Sequence, residues 1–109
     1  MPPNDSDLPP VVDRLKVYVD EAVYPYGRML MCHMMSCDLD ALHEMACKIG
    51  VARRHFQNKP GRTPHYDICK SKRELALKHG ALEADRNHIV LIIEHHRNET
   101  VRHAQPKYR

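Results

Sequence analysis

Apolar residues along the chain recur with a period of two in some stretches and about 3.6 in others, and each change of period predicts a new element. Leu15 to Asp20 (LKVYVD) alternates and is rich in β-branched and aromatic side chains, which predicts a first strand. Tyr24-Pro25-Tyr26-Gly27 reads as the turn after it. In Met29 to Asp38 (MLMCHMMSCD), the positions Met29, Met31, His33 and Met35 are no more polar than Leu30, Cys32 and Met34. A strand apolar on both sides belongs inside a sheet covered by helices. The same letters spell a soft-metal loop, but alternation sends His33 to the face of Met31 and Met35 and Cys32 to the other, so the donors are divided and a packed strand is expected.

The period then lengthens. Asp38 caps an expected helix over Leu39 to Ile49, with Leu39, Leu42, Met45, Ala46 and Ile49 on one stripe and Gly50 as its stop. His43 falls about 90° from the stripe's centre, at a rim. Val51 to Gln57 predicts a short strand, residues 58–64 (NKPGRTP) a loop, and His65 to Ile68 a compact strand. Ser71 and Glu74 have capping-box spacing for a helix ending at Gly80 with Lys78 and His79 in its last turn. Ala81 to Ala84 is too short to assign. Asp85 can cap a final helix with Ile89, Ile92, Ile93 and His96 on one stripe, although the IVLII run would also suit a strand. Strands alternating with helices predict a small single α/β domain, a mostly parallel sheet of about four or five short strands with three helices and one antiparallel pair at the first hairpin.

With four of the eight prolines in its first ten residues, the segment 1–13 is expected to be a disordered tail, 14–87 the α/β domain, and 88–109 a C-terminal helix and tail. A length of 109 residues suits one modest core. There is no apolar run long enough to span a membrane and no secretory pattern at the start, so a cytoplasmic protein without membrane association is expected. Cys32, Cys37, Cys47 and Cys69 form no paired C-x-x-C knuckles and are expected as free thiols.

The net charge of +3 conceals an uneven distribution: Arg53 to His79 holds eight Lys or Arg against Asp67 and Glu74, or +6, leaving −3 elsewhere. Within that segment, His65-Tyr66-Asp67 places an imidazole and a carboxylate on one face of a strand, where they can converge on one ligand. Arg54, Arg62, Lys72 and Arg73 surround this strand in sequence and are candidate phosphate contacts, the last two at a helix N-terminus. Asp20 ends the first strand, where ligands of α/β sheets tend to sit. With one Phe and no Trp, the composition offers little for stacking bases. His88, His95, Glu99 and His103 lack an H-E-x-x-H pattern and read as a polar helix face or a self-association surface, so oligomerisation through the last helix is a candidate.

Val17-Tyr18-Val19-Asp20, Cys32-His33-Met34, Asp38 with Leu42-His43, Ile49-Gly50, Phe56-Gln57, His65-Tyr66-Asp67, Ser71-Lys72-Arg73 and Gly80-Ala81 together resemble a bacterial and phage family known as domain of unknown function four-zero-three-one. The resemblance implies a compact single domain and groups His33, His43, Phe56, Gln57, His65 and Asp67 as one constellation, without implying an activity. The resulting expectation is a phosphate-ligand enzyme, acting on a nucleotide or nucleic-acid phosphodiester. His33, His43, His65 and Asp67 would serve as acid/base groups or ligands of zinc or manganese, supported by Asp20, Phe56, Gln57 and Tyr66. The competing expectation is a non-catalytic module that docks a nucleotide, a nucleic acid or an acidic protein on the same basic surface.

Overall fold

The computed structural model describes residues 11–104, with side chains through residue 99; residues 1–10 of the expected tail and the final residues 105–109 lie outside the described residues. The chain forms β1 (Val17–Val19), β2 (Tyr24–Tyr26), β3 (Met29–Ser36), α1 (Leu39–Ile49), a 3₁₀ turn (Arg53–His55), β4 (Tyr66–Cys69), α2 (Lys70–Lys78), β5 (Leu82–Glu83) and α3 (Arg86–Ala104).

β3 organises the sheet. It pairs antiparallel with β1 at Met34–Ser36, with β2 at Met29–Met31 and with β4 at Met31–Met34, while β1 pairs parallel with β5. Because β4 uses both Met31 and Met34, β1 and β2 must share the opposite side of β3, as two halves of one interrupted strand. The sheet is therefore mixed, not mostly parallel. β1, β2, β4 and β5 all run one way and β3, in their midst, runs against them, so every pairing it makes is antiparallel. The α2 crossover does join two strands of the same direction, β4 and β5, but they are not neighbours.

α1 occupies the residues its pattern predicts. Asp38 accepts from the amides of Asp40 and Ala41, and Gly50 closes the helix in the left-handed region at φ 81°. Leu42, Met45, Ala46 and Ile49 bury one stripe against Val17, Val19, Cys32, Met34, Tyr66 and Ile68 of the sheet, joined by Ala76 of α2. Full burial of a side chain such as Leu42 contributes about 1.5–3 kcal/mol. Cys32 lies in this core, on the face opposite to His33, which removes it from any soft-metal set with that histidine, and burial pushes its thiol up to about 12. On the opposite face, α3 covers only one end of the sheet: Ile92 packs on Tyr18, Met35 and Cys37, and His96 Nε2 donates to the Ser36 carbonyl at 2.7 Å. No helix among the described residues is long and apolar enough to cross a membrane.

Three local expectations are corrected. Tyr24–Tyr26 is strand, and the turn sits at Gly27-Arg28, where Gly27 has φ 62°. Val51 to Gln57 forms no strand; it holds the 3₁₀ turn and an isolated bridge from Gln57 to His65. The Ser71/Glu74 capping box does not form, because β4 runs straight into α2 and Cys69 takes the N-cap position, leaving Ser71 inside the first turn. The expected final helix, by contrast, forms over the IVLII run with Asp85 at its start: Asp85 accepts from the His88 amide at 3.0 Å while His88 Nδ1 accepts from the Asp85 amide at 3.1 Å, a reciprocal cap.

Candidate metal centre

The site is built on the sheet face that α3 leaves partly open. Alternation along β3 and β4 sends Met34 and Tyr66 into the helical core and turns His33 and Asp67, which are directly paired, to the other side. Opposite His33 the β1–β2 arm breaks. Four residues, Asp20 to Val23, face only Cys32 and His33, a bulge of two extra residues. The Asp20 side chain repairs the ladder: its Oδ1 accepts from the His33 amide at 2.6 Å, and the Asp20 amide donates to the His33 carbonyl at 3.1 Å. Its Oδ2 lies 2.7 Å from His33 Nδ1. That hydrogen bond, aided by the charges of Asp20 and Asp67 and opposed by burial, raises the His33 pKa.

Each of the three inner groups is held from behind. Asp67 Oδ2 accepts from Gln57 Nε2 at 2.6 Å, leaving Oδ1 facing inward. His65 Nδ1 donates to the Thr63 carbonyl at 2.8 Å, since a carbonyl can only accept. His33 Nδ1 donates to the Asp20 carboxylate for the same reason. In the neutral rings both Nε2 atoms are therefore unprotonated, and their lone pairs converge with that of Asp67 Oδ1. The distances are 3.3 Å from His65 Nε2 to Asp67 Oδ1 and 3.8 Å from His33 Nε2 to the same oxygen, and all three atoms lie within 4.8 Å of one another. Lone pairs gathered this way repel unless positive charge, a proton or a metal ion, lies between them. Ligand atoms at about 2.0–2.2 Å from a tetrahedral zinc sit roughly 3.4 Å apart, close to the 3.3 and 3.8 Å separations of the two imidazole nitrogens from Asp67 Oδ1.

The other expected site residues divide. His43 is on the far side of the sheet: its Nδ1 is 2.8 Å from Tyr66 Oη, and its ring meets Phe56 edge-on at 4.5 Å. Burial and the Arg53 cation lower its pKa. His43, Phe56 and Tyr66 form a packed aromatic cluster, and α1 carries His43 away from His33, His65 and Asp67. Arg54 and Lys72 line an open cleft of about 770 Å³ together with His33, Gln57 and Asp67. The Lys72 ammonium reaches across Gly50, where a Cβ would stand 3.2 Å from Nζ. Arg62 lines a second cleft of about 640 Å³ with Asp20, His33 and His65. Arg73 is engaged in the fold. Its Nε donates to the Asp20 carbonyl at 2.6 Å and one terminal nitrogen lies 3.3 Å from Glu83 Oε1, so it braces the bulge.

Sequence reasoning missed two lining residues. Tyr24 and Tyr26 pair with Met31 and Met29, which puts them on the His33 face, and the Tyr24 ring sits 4.7 Å from that of His33. Their signal was the alternation Tyr-x-Tyr, masked by the Pro-Tyr-Gly that resembles a turn. Cys69 also lines the first cleft; its thiol pKa is lowered by the Ser71 hydroxyl and by amides at the start of α2.

The family model described as Protein of unknown function (DUF4031) matches residues 17–96, and the chain belongs to that family. The matched region holds every residue of the site and the first half of α3. No curated protein and no solved structure matches the chain.

Proposed function

We propose that this member of the DUF4031 family is a metal-dependent phosphodiester hydrolase, with His33, His65 and Asp67 as ligands of a divalent cation, zinc or manganese. The observation that carries this reading is the convergence of three donor atoms whose outer atoms are each fixed by a second group: Asp20 behind His33, the Thr63 carbonyl behind His65, and Gln57 behind Asp67. Such outer partners set the tautomer and orientation that ligation requires. Asp67 and Asp20 bring two formal negative charges to balance a dication. Three protein ligands leave coordination positions for water and substrate, which is the catalytic rather than the structural form of a zinc site.

A divalent ion held there supplies Lewis acidity and a more acidic water. The remaining work falls to the chain. Arg54 and Lys72, in the same cleft, bind the non-bridging phosphate oxygens and offset charge that grows as water adds to phosphorus. The water oxygen forms the new P–O bond, the ester P–O bond breaks, and the proton released from water passes to solvent or to the departing oxygen. Phosphate recognition thus rests on Arg54, Lys72 and Arg62, while Arg73 holds Asp20 in place.

Calorimetric titration with zinc and with manganese, followed by a hydrolysis assay on bis(p-nitrophenyl) phosphate, tests the proposal. Stoichiometric binding and metal-dependent turnover are expected, both lost in His65→Ala and Asp67→Ala. Turnover that survives a chelator, or metal binding that survives both substitutions, refutes it.

A further inference from the structure

Two clefts meet at the candidate metal centre. His33 and Tyr24 line both, Asp67 belongs to the first, and His65 to the second. Basic side chains occur in each, Arg54 and Lys72 in the first and Arg62 and Arg86 in the second, where the carboxylates Asp20, Glu21 and Asp85 also line the wall. A substrate that ended at the metal would need only one cleft, whereas a chain whose scissile phosphodiester lies at the junction would fill both.

The first cleft also has an aromatic strip. Tyr24 and Tyr26 project from the same face of β2, with Met29 and Met31 beside them on β3. The two tyrosines are 48% and 71% exposed, which leaves ring surface accessible to a ligand in the cleft. Positions i and i+2 of a strand are about 6.6–6.8 Å apart. That is about twice the ~3.4 Å rise between stacked bases, so the strip suits successive bases drawn apart along an extended strand. Bases in a duplex already stack on each other and present only their edges, whereas those of a single strand can lie on tyrosine rings while cations track the backbone.

Building on the hydrolase reading, we infer that the substrate is a single-stranded polynucleotide that runs through both clefts, stacks bases on Tyr24 and Tyr26, and is cut internally at the His33–His65–Asp67 junction. Each cut adds water across one internal phosphodiester, leaving one new hydroxyl end and one new phosphate end.

The test uses the full chain loaded with manganese or zinc, and circular single-stranded oligonucleotides of DNA and of RNA, which have no ends. Linearisation of either circle is expected, at least about tenfold faster than nicking of a circular duplex of the same sequence. Tyr26→Ala should slow cleavage of the circle about tenfold more than it slows hydrolysis of bis(p-nitrophenyl) phosphate, as loss of one stacked base implies, and Tyr26→Phe should restore it. Intact circles beside active hydrolysis of the small diester would overturn the inference and leave the hydrolase reading standing, as would equal rates on duplex or an unselective Tyr26→Ala. No hydrolysis of the small diester would overturn both.

Discussion

His33 and His43 sit on opposite faces of one sheet, and the difference between them shows how the partner of an imidazole decides its use. Each has Nδ1 within hydrogen-bond reach of an oxygen, at 2.7 Å for His33 and 2.8 Å for His43. The partner of His33 is a carboxylate, which fixes the tautomer and raises the pKa; that of His43 is a phenol inside an aromatic cluster, and burial lowers the pKa. His33 therefore points a basic nitrogen at a second imidazole and a second carboxylate, while His43 closes a packed surface. The sheet separates a face of converging donor atoms, proposed above as a metal centre, from a core that stabilises.

The largest break in that comparison comes from removing an inner ligand. His65→Ala should lower zinc affinity by more than about 100-fold, the upper end of what outer-partner losses cost, with little change in the melting temperature of the metal-free protein. Calorimetry and thermal denaturation read the two effects separately. Next comes the opposite face: Leu42→Ala, in the core under α1, should cost about 2–5 kcal/mol of stability by denaturant unfolding. Zinc affinity of the folded protein should stay within about threefold, since the substitution leaves Asp20, Gln57 and Thr63 in place. A larger drop would mean that the faces are not independent.

Whether such a division can be read from sequence depends on how local its cause is. α1 was legible because its determinants are contiguous, from the Asp38 cap through the Leu42–Met45–Ala46–Ile49 stripe to Gly50. β3 was legible as an interior strand from its two-sided apolarity, but that apolarity overstated its burial: Cys32 and Met34–Ser36 are buried, whereas Met29 and Leu30 stand exposed at the strand's start. His65 and Asp67 were legible through period-two spacing, and the structure turns them to one point. Strand direction was not, because nothing local says that β3 opposes all its neighbours. Nor was the bulge that makes Asp20 an orienting group: a two-residue mismatch exists only once β1 and β2 are aligned on β3. His43 was grouped with His33 by family resemblance, which marks residues that recur together without saying on which face they lie. Arg73 looked like a phosphate ligand for its charge and helix position, but the Asp20 carbonyl lay too far along the chain to be seen as its partner.

Asp20→Asn tests the bulge itself and should have an intermediate effect. Asn can still accept from the His33 amide through its oxygen, but its NH₂ then faces His33 Nδ1 and forces that nitrogen to become the acceptor. The ring proton moves to Nε2, which then points N–H at the metal position. Zinc affinity should fall about 10- to 100-fold, the range of outer-partner losses, with no comparable loss of fold. Equal affinity in Asp20→Asn would show that Asp20 does not set the tautomer.

The smallest expected effect sharpens the comparison most, because it reverses sign between the two histidines. Both start from an ordinary value of about 6.5 in the unfolded chain. The folded pKa of His33 is raised, chiefly by the Asp20 hydrogen bond, so its contribution is fully present below 6.5 or so and is lost as pH rises through the folded value. The folded pKa of His43 is lowered by burial and by Arg53, so its contribution is present above about 6.5 and is lost as pH falls through the folded value. In chelator-treated protein, acidification from about pH 7.5 to 5 should therefore cost His33→Gln more stability than wild type and His43→Gln less, read as urea midpoints at the two pH values. The Gln side chain keeps a polar group near Asp20 or Tyr66 while removing the titration. If the two variants shift the acid sensitivity in the same direction, then the carboxylate and the aromatic cluster are not acting on the rings as opposites, and the proposed separation of a charged face from a packed one fails.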